Sequence, residues 1–116
     1  MVDGIADLKD QTLAQLEALR SKLTSADWQM QMMHESAAAQ GQNSDLLILL
    51  DARIAQLDDV QLAQIQKNIG SCRTELDNAI AGVQKALADI ADVSKVLAAG
   101  SALLKVVGQV LSFVAR

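Results

Sequence analysis

An unbroken pattern of apolar and small residues occupies the second half of the chain. From Leu62 to Val114 such residues recur at alternating spacings of three and four, at sixteen successive positions. This spacing lines one face of an α-helix and is typical of helices that pack lengthwise on other helices. The chain also contains no proline, no tyrosine and one phenylalanine, so strands would have few of their preferred residues. The pattern predicts an all-α protein.

A shorter series with the same spacing occupies the first half of the chain. It places Met30 and Met33 in the seam and Trp28 at its edge, and it continues to about residue 40, where the cluster Gln-Gly-Gln-Asn-Ser at 40–44 interrupts it. Glycine can end a helix, and asparagine or serine can cap the next one. We therefore expect a first helix over about residues 3–40 and a turn at 41–44.

The remaining residues form the second arm of this prediction. It comprises residues 45–57 and 59–98, with a kink near 58–59, where the spacing slips by one residue. Residues 99–116 are expected to form an apolar C-terminal helix. Glycine lowers helix propensity, so a break at Gly100, or alternatively at Gly70, is a candidate.

The lengths of the two arms limit how they can pair. A straight helix over 62–114 would be about 80 Å long, whereas the first helix would be about 55 Å long. The expected fold is a single domain, 1–116. It is either a long helical hairpin like an antiparallel coiled coil, or an elongated bundle of three or four helices with an apolar C-terminal helix.

The last 21 residues, 96–116, carry only two charges, those of Lys105 and Arg116. A helix with so narrow a polar stripe needs a cover, which could be the protein itself, other copies of it, or lipid. The complete heptad seam favours burial against helices. The residues expected to form this core or self-association seam are Leu97, Leu104, Val107, Leu111, Phe113 and Val114.

Charge is unevenly distributed along the chain. Residues 1–92 carry fourteen acids and seven basic residues, whereas 93–116 carry three basic residues and no acid. Because the acidic body repels phosphate, we expect no nucleic-acid partner. A membrane surface is an alternative partner, with Lys95, Lys105 and Arg116 as the candidate contacts to anionic lipid.

The residues that usually carry chemistry are scarce. A single histidine excludes the two-metal carboxylate sites of helical bundles, and a single cysteine excludes an internal disulfide or redox pair. We therefore expect no catalysis, no cofactor, no metal and no small-molecule substrate. The acidic start MVDGIADLKD is unlike a secretory signal. The default expectation is a cytoplasmic protein, with signal-independent export or membrane association as alternatives.

Three functional hypotheses follow from these patterns. The main one is a non-catalytic assembly protein that self-associates through its seams and apolar C-terminal helix, as an oligomer or a filament. Its premise is that one copy cannot cover the apolar C-terminal helix by itself. Trp28, which lies off the seam, is a candidate anchor between copies. The second hypothesis is a small pore-former or peripheral membrane binder that uses residues 96–116. The third is a helical chaperone or adaptor that offers a groove to a foreign helix.

Overall fold

The computed structural model describes residues 5–89 and 91–112, and the regular secondary structure within these ranges is all helical. The all-α class is therefore confirmed. The helices are α1 (Ile5–Leu23), α2 (Ala26–Met32), α3 (Ala37–Asp59), α4 (Leu62–Ser71), α5 (Arg73–Leu87) and α6 (Val93–Ser112).

The expected first helix over 3–40 is interrupted twice, so that prediction is wrong. The first break follows Leu23, where Ser25 adopts an extended backbone conformation and its hydroxyl oxygen accepts a hydrogen bond from the Trp28 backbone N–H at 3.3 Å. Such a cap satisfies a backbone donor that would otherwise be unpaired at a helix start. The short helix α2 therefore begins at Ala26 as a separate helix.

The chain turns at residues 33–36, and the turn predicted at 41–44 is absent because those residues lie inside α3. Ser36 caps α3 by accepting a hydrogen bond from the Ala39 N–H at 3.1 Å. The Gln40 amide donates to the backbone oxygens of Met32 and Glu35, at 3.0 and 3.2 Å. These bonds satisfy carbonyls at the end of α2, and they close the turn five residues before the glycine.

The second arm is also divided. A break does follow Asp59, near the predicted kink, and a hydrogen bond of 3.1 Å from the Gln61 N–H to the Gln64 side chain supports the start of α4. The arm over 59–98 is not continuous, since α4 and α5 are separated at Cys72, and α5 ends at Leu87 while α6 begins at Val93. The candidate break at Gly100 is absent, because α6 passes through it.

The long helices pack around a shared apolar core. Helix α1 contacts α3, α4 and α5, and helix α6 contacts the same three helices. A hydrogen bond from Lys9 Nζ to the Val60 carbonyl, 2.9 Å, and an ion pair between Arg20 and Asp51 show that α1 and α3 are antiparallel. The Asn68 amide donates to the Val110 carbonyl at 3.2 Å, which attaches α4 to the end of α6.

Two helical glycines provide a test of these helix boundaries. A β-carbon at Gly41 or Gly82 would meet no atom within 4 Å. Because alanine has the higher helix propensity, Gly41→Ala and Gly82→Ala should each raise the free energy of unfolding by about 0.5–1 kcal/mol. Urea denaturation followed by circular dichroism measures this.

A third glycine is the matched control. A β-carbon at Gly100 would lie 3.1 Å from methyl groups of both Leu19 and Leu46, so crowding offsets the gain in helix propensity. Gly100→Ala should therefore stabilise less than Gly82→Ala. A destabilised Gly41→Ala variant would instead support the turn at 41–44.

Candidate functional site

The apolar residues of α6 face the chain's own core. Leu97, Leu104, Val107 and Leu111 are all buried against the other helices of the same chain. The premise that one copy cannot cover these residues is therefore wrong. The physical reason is that α6 folds back along α5 and also lies against α3. Phe113, Val114 and Arg116 lie outside the described residues.

The outer face of α6 is formed by small and polar side chains. Lys95 and Lys105 are exposed there, as are Ser94, Ala98 and Ser101. Val93–Leu111 is long and apolar enough to cross a membrane by length and composition alone, but 44% of an 18-residue stretch within it is buried inside the protein. The described part of α6 thus offers lipid two lysines and no exposed large apolar side chain.

Trp28 occupies the core, which corrects its assignment as a candidate anchor between copies. Its side chain is 0% exposed, and its indole N–H donates to the Asn43 side-chain oxygen at 3.0 Å. A fully buried side chain has no surface to offer a partner. Instead, Trp28 joins α2 to the first half of α3, close to the turn at 33–36.

The exposed large apolar residues lie on α3 and around the end of α2. Ile48 is 70% exposed and Leu49 is 40% exposed, while Met30 and Met33 are 63% and 75% exposed. Sequence reasoning placed both methionines in the seam and did not single out the two α3 residues. The available signal was the run of five apolar residues at 46–50, because consecutive helical residues point in all directions around the axis.

A groove of about 530 Å³ runs between α3 and α6. Gly100 of α6 lies against Leu46 of α3, and Gly108 lies against Arg53. These contacts advance in the same direction along both helices, so α3 and α6 are parallel. Because Leu97 and Leu104 also contribute and are buried, the groove has an apolar base.

Small residues on α6 leave the groove open. Ser94, Ala98 and Ser101 line it on that side, and Leu49 lines it on the α3 side. Side chains of this size do not fill the space between two helices whose axes are normally about 8–10 Å apart. The opening is therefore long and shallow, with one large apolar side chain at its edge.

The two ends of the groove carry opposite charges. Gln42 and Asp45 line it near the start of α6, whereas Arg53 and Lys105 line it further along both helices. The Arg53 guanidinium packs against Gly108, where a β-carbon would lie 3.3 Å from Nη2. This arrangement provides an acidic end and a basic end on one apolar surface.

Arg53 is incompletely paired within the chain. Its Nη1 donates to the Gln56 side-chain oxygen at 2.7 Å, but its Nε is buried and has no hydrogen-bond partner in the described structure. Asp45 is exposed and forms no ion pair with the described residues. An outside group can thus reach the Asp45 carboxylate and the terminal nitrogens of Arg53, but not the buried Nε.

The described residues assemble no cluster suited to a metal ion. No group of three or more His, Cys, Asp or Glu side chains among them is placed to hold a metal ion. Burial, and secondarily the Glu75 carboxylate, raises the pKa of the Cys72 thiol. A raised pKa keeps the thiol protonated near neutral pH, which makes it a poor nucleophile.

Comparisons with known proteins add no family to this description. No protein-family model matches the chain, and neither the curated proteins nor the solved structures yielded a match.

Proposed function

We propose that this chain is a non-catalytic helical assembly protein that self-associates through the groove between α3 and α6. The observation that carries the proposal is the apolar groove with the partly exposed Leu49 at its edge. A second copy that covers this surface would remove Leu49 and the exposed Ala98 from water. That transfer is favourable in proportion to the apolar area buried.

The size of the surface sets the expected strength of association. The α3 residues that line the groove run from 42 to 53, which is about 17 Å along the helix, and two neighbouring helices are about 18 Å wide. The face is thus about 300 Å² per copy, less than the roughly 800 Å² per partner of a standard stable interface. We expect a reversible association with a dissociation constant in the micromolar range or weaker.

Filling the groove tests the proposal. Ala98 is exposed and lines the groove, so Ala98→Trp should occupy the space that a partner needs. Sedimentation velocity over micromolar to millimolar protein should show a rising mass for the unmodified chain. Ala98→Trp should weaken the association at least tenfold, since it removes the complementary shape of the interface.

The matched control makes the same change on another face. Ala81 is exposed on α5 and does not line the groove, so Ala81→Trp should leave the association unchanged. A monomer at all concentrations, or equal behaviour of the two variants, would overturn the proposal. A monomer would favour the adaptor hypothesis, in which the groove receives a helix of another protein.

The membrane-active alternative has less support. The length and composition of α6 favour it, but the apolar side chains that would contact lipid lie in the core. Insertion would require α6 to leave α3, α4 and α5. The free energy of that separation opposes insertion, so we keep protein association as the proposal.

A further inference from the structure

We infer that two copies pair through α3 in antiparallel orientation, about a two-fold axis at Leu49, with each Asp45 against the partner's Arg53. This inference rests on the proposed self-association and specifies its geometry. It predicts a closed dimer in place of a filament.

Charged and polar residues of α3 are spaced symmetrically on either side of Leu49. Asp45 precedes Leu49 by four residues and Arg53 follows it by four; Gln42 precedes it by seven and Gln56 follows it by seven. Spacings of four and seven keep these side chains on one face of a helix. In an antiparallel pair, residues at equal distances from the axis face each other. Leu49 then meets the partner's Leu49, and Gln42 meets the partner's Gln56.

Charge determines the orientation of the pair. In the antiparallel arrangement, each Asp45 faces the partner's Arg53, and Lys105 lies at the same end of the groove as Arg53. In a parallel arrangement, Asp45 would face the partner's Asp45, and Arg53 would face the partner's Arg53. Like charges in contact destabilise an interface and suppress that mode of binding.

The groups that would form the charge pair are available. Asp45 is exposed, and the guanidinium of Arg53 hydrogen-bonds to the described residues only through Nη1, which donates to Gln56. A carboxylate from a second copy would accept a hydrogen bond from the other terminal nitrogen, Nη2, whereas the buried Nε stays out of reach. The neighbouring Gln42 and Gln56 amides can both donate and accept hydrogen bonds across the same seam.

Symmetry limits the size of the assembly. In a two-fold contact both copies use the same surface, so the surface is fully occupied once two copies have paired. The mass measured at high concentration should therefore approach two chains and stop. A mass that continued to rise would indicate a head-to-tail contact and would overturn the two-fold arrangement.

Charge reversal is the direct test. Asp45→Arg places basic residues at both 45 and 53, and Arg53→Asp places acids at both. In a dimer of either variant with itself, both contacts between positions 45 and 53 join like charges. Its dimer dissociation constant should therefore rise about tenfold, since an exposed pair contributes about twofold to fivefold and repulsion adds to the loss.

Mixing the variants should restore the pairing. In a mixture of Asp45→Arg and Arg53→Asp, every base on one copy faces an acid on the other, so a mixed dimer should form with the original affinity. The double variant Asp45→Arg/Arg53→Asp should also pair normally with itself. Asp77→Arg, an equal charge change at an exposed position of α5, is the control and should have no effect.

Cross-linking tests the same geometry with Arg53 left in place, so it remains decisive even if Arg53→Asp disturbs the packing at Gly108. In a Cys72→Ser background, Leu49→Cys should form a disulfide-linked dimer when oxidised glutathione is added, because the two thiols meet at the axis. Asp45→Cys in the same background should not, since the two positions 45 lie on opposite sides of the axis.

These experiments distinguish self-association through the groove from the antiparallel two-fold geometry. If Ala98→Trp blocks association while Asp45→Arg has no effect and the thiols at position 49 do not link, the geometry is wrong and self-association stands. If the unmodified chain never exceeds the mass of a monomer, both are wrong.

Discussion

Trp28→Ala should lower the free energy of unfolding by about 3–5 kcal/mol, which is the usual cost of replacing a buried tryptophan by alanine. The side chain is fully buried and joins α2 to α3, so its removal leaves a large cavity. It also leaves Asn43 without the indole N–H donor. Urea denaturation followed by circular dichroism measures the loss without relying on tryptophan fluorescence.

A neighbouring methionine provides the matched control for this variant. Met30 lies on the same short helix but is 63% exposed, so Met30→Ala should change the free energy of unfolding by no more than about 0.5 kcal/mol. If the two substitutions had similar effects, α2 would not be anchored by Trp28 as the structure describes.

Leu104→Ala should lower the free energy of unfolding by about 2–5 kcal/mol, and the loss should not depend on protein concentration. Leu104 is 2% exposed within a single copy, and α6 packs on α3, α4 and α5 of the same chain. The cavity therefore forms inside one molecule. Chemical denaturation at two well-separated dilute protein concentrations gives both the size of the loss and its concentration dependence.

Concentration dependence distinguishes internal burial from burial between copies. If other copies covered this side chain, dilution would lower the denaturation midpoint of the unmodified chain by mass action. The adjacent Lys105 is exposed, so Lys105→Ala is the control and should stay within about 0.5 kcal/mol. A small effect of Leu104→Ala in dilute protein would contradict the packing of α6.

Around Trp28 the heptad spacing correctly predicted helix but predicted the wrong residues to face the core. Extending the seam across residues 24 and 25 placed Met30 and Met33 inside and Trp28 at the edge. The Ser25 cap starts a new helix there, so Trp28 and Met32 face the core instead. A heptad spacing marks the inward residues only along one continuous helix. At each break a different set of residues can turn toward the core.

The turn between α2 and α3 illustrates a different limit. A glycine within a polar cluster suggested a reversal at 41–44, but serine at 36 and glutamine at 40 provide the caps that the structure uses. Gly41 has neither a positive φ angle nor a close neighbour that would require glycine. Turn propensity alone could not separate these two positions, which lie only a few residues apart.

Only some residues of the candidate groove could be predicted from the sequence. Lys105 and the apolar α6 residues were singled out, but Asp45, Leu49 and Arg53 were not. Their importance depends on α6 lying parallel to α3, and that contact joins residues about 55 positions apart. No local pattern on α3 indicates which of its sides α6 covers.

Local sequence patterns predict the helical class and most of the inward residues of α5 and α6, because helix propensity and the spacing of apolar residues are local properties. The reversal between α5 and α6 follows only from tertiary packing, since an in-phase seam continues across a reversal unchanged. The tertiary structure also decided that α6 is covered by its own chain while part of the apolar run on α3 stays exposed. A helix that is apolar on several sides can pack in several ways, and the arrangement of its neighbours selects one.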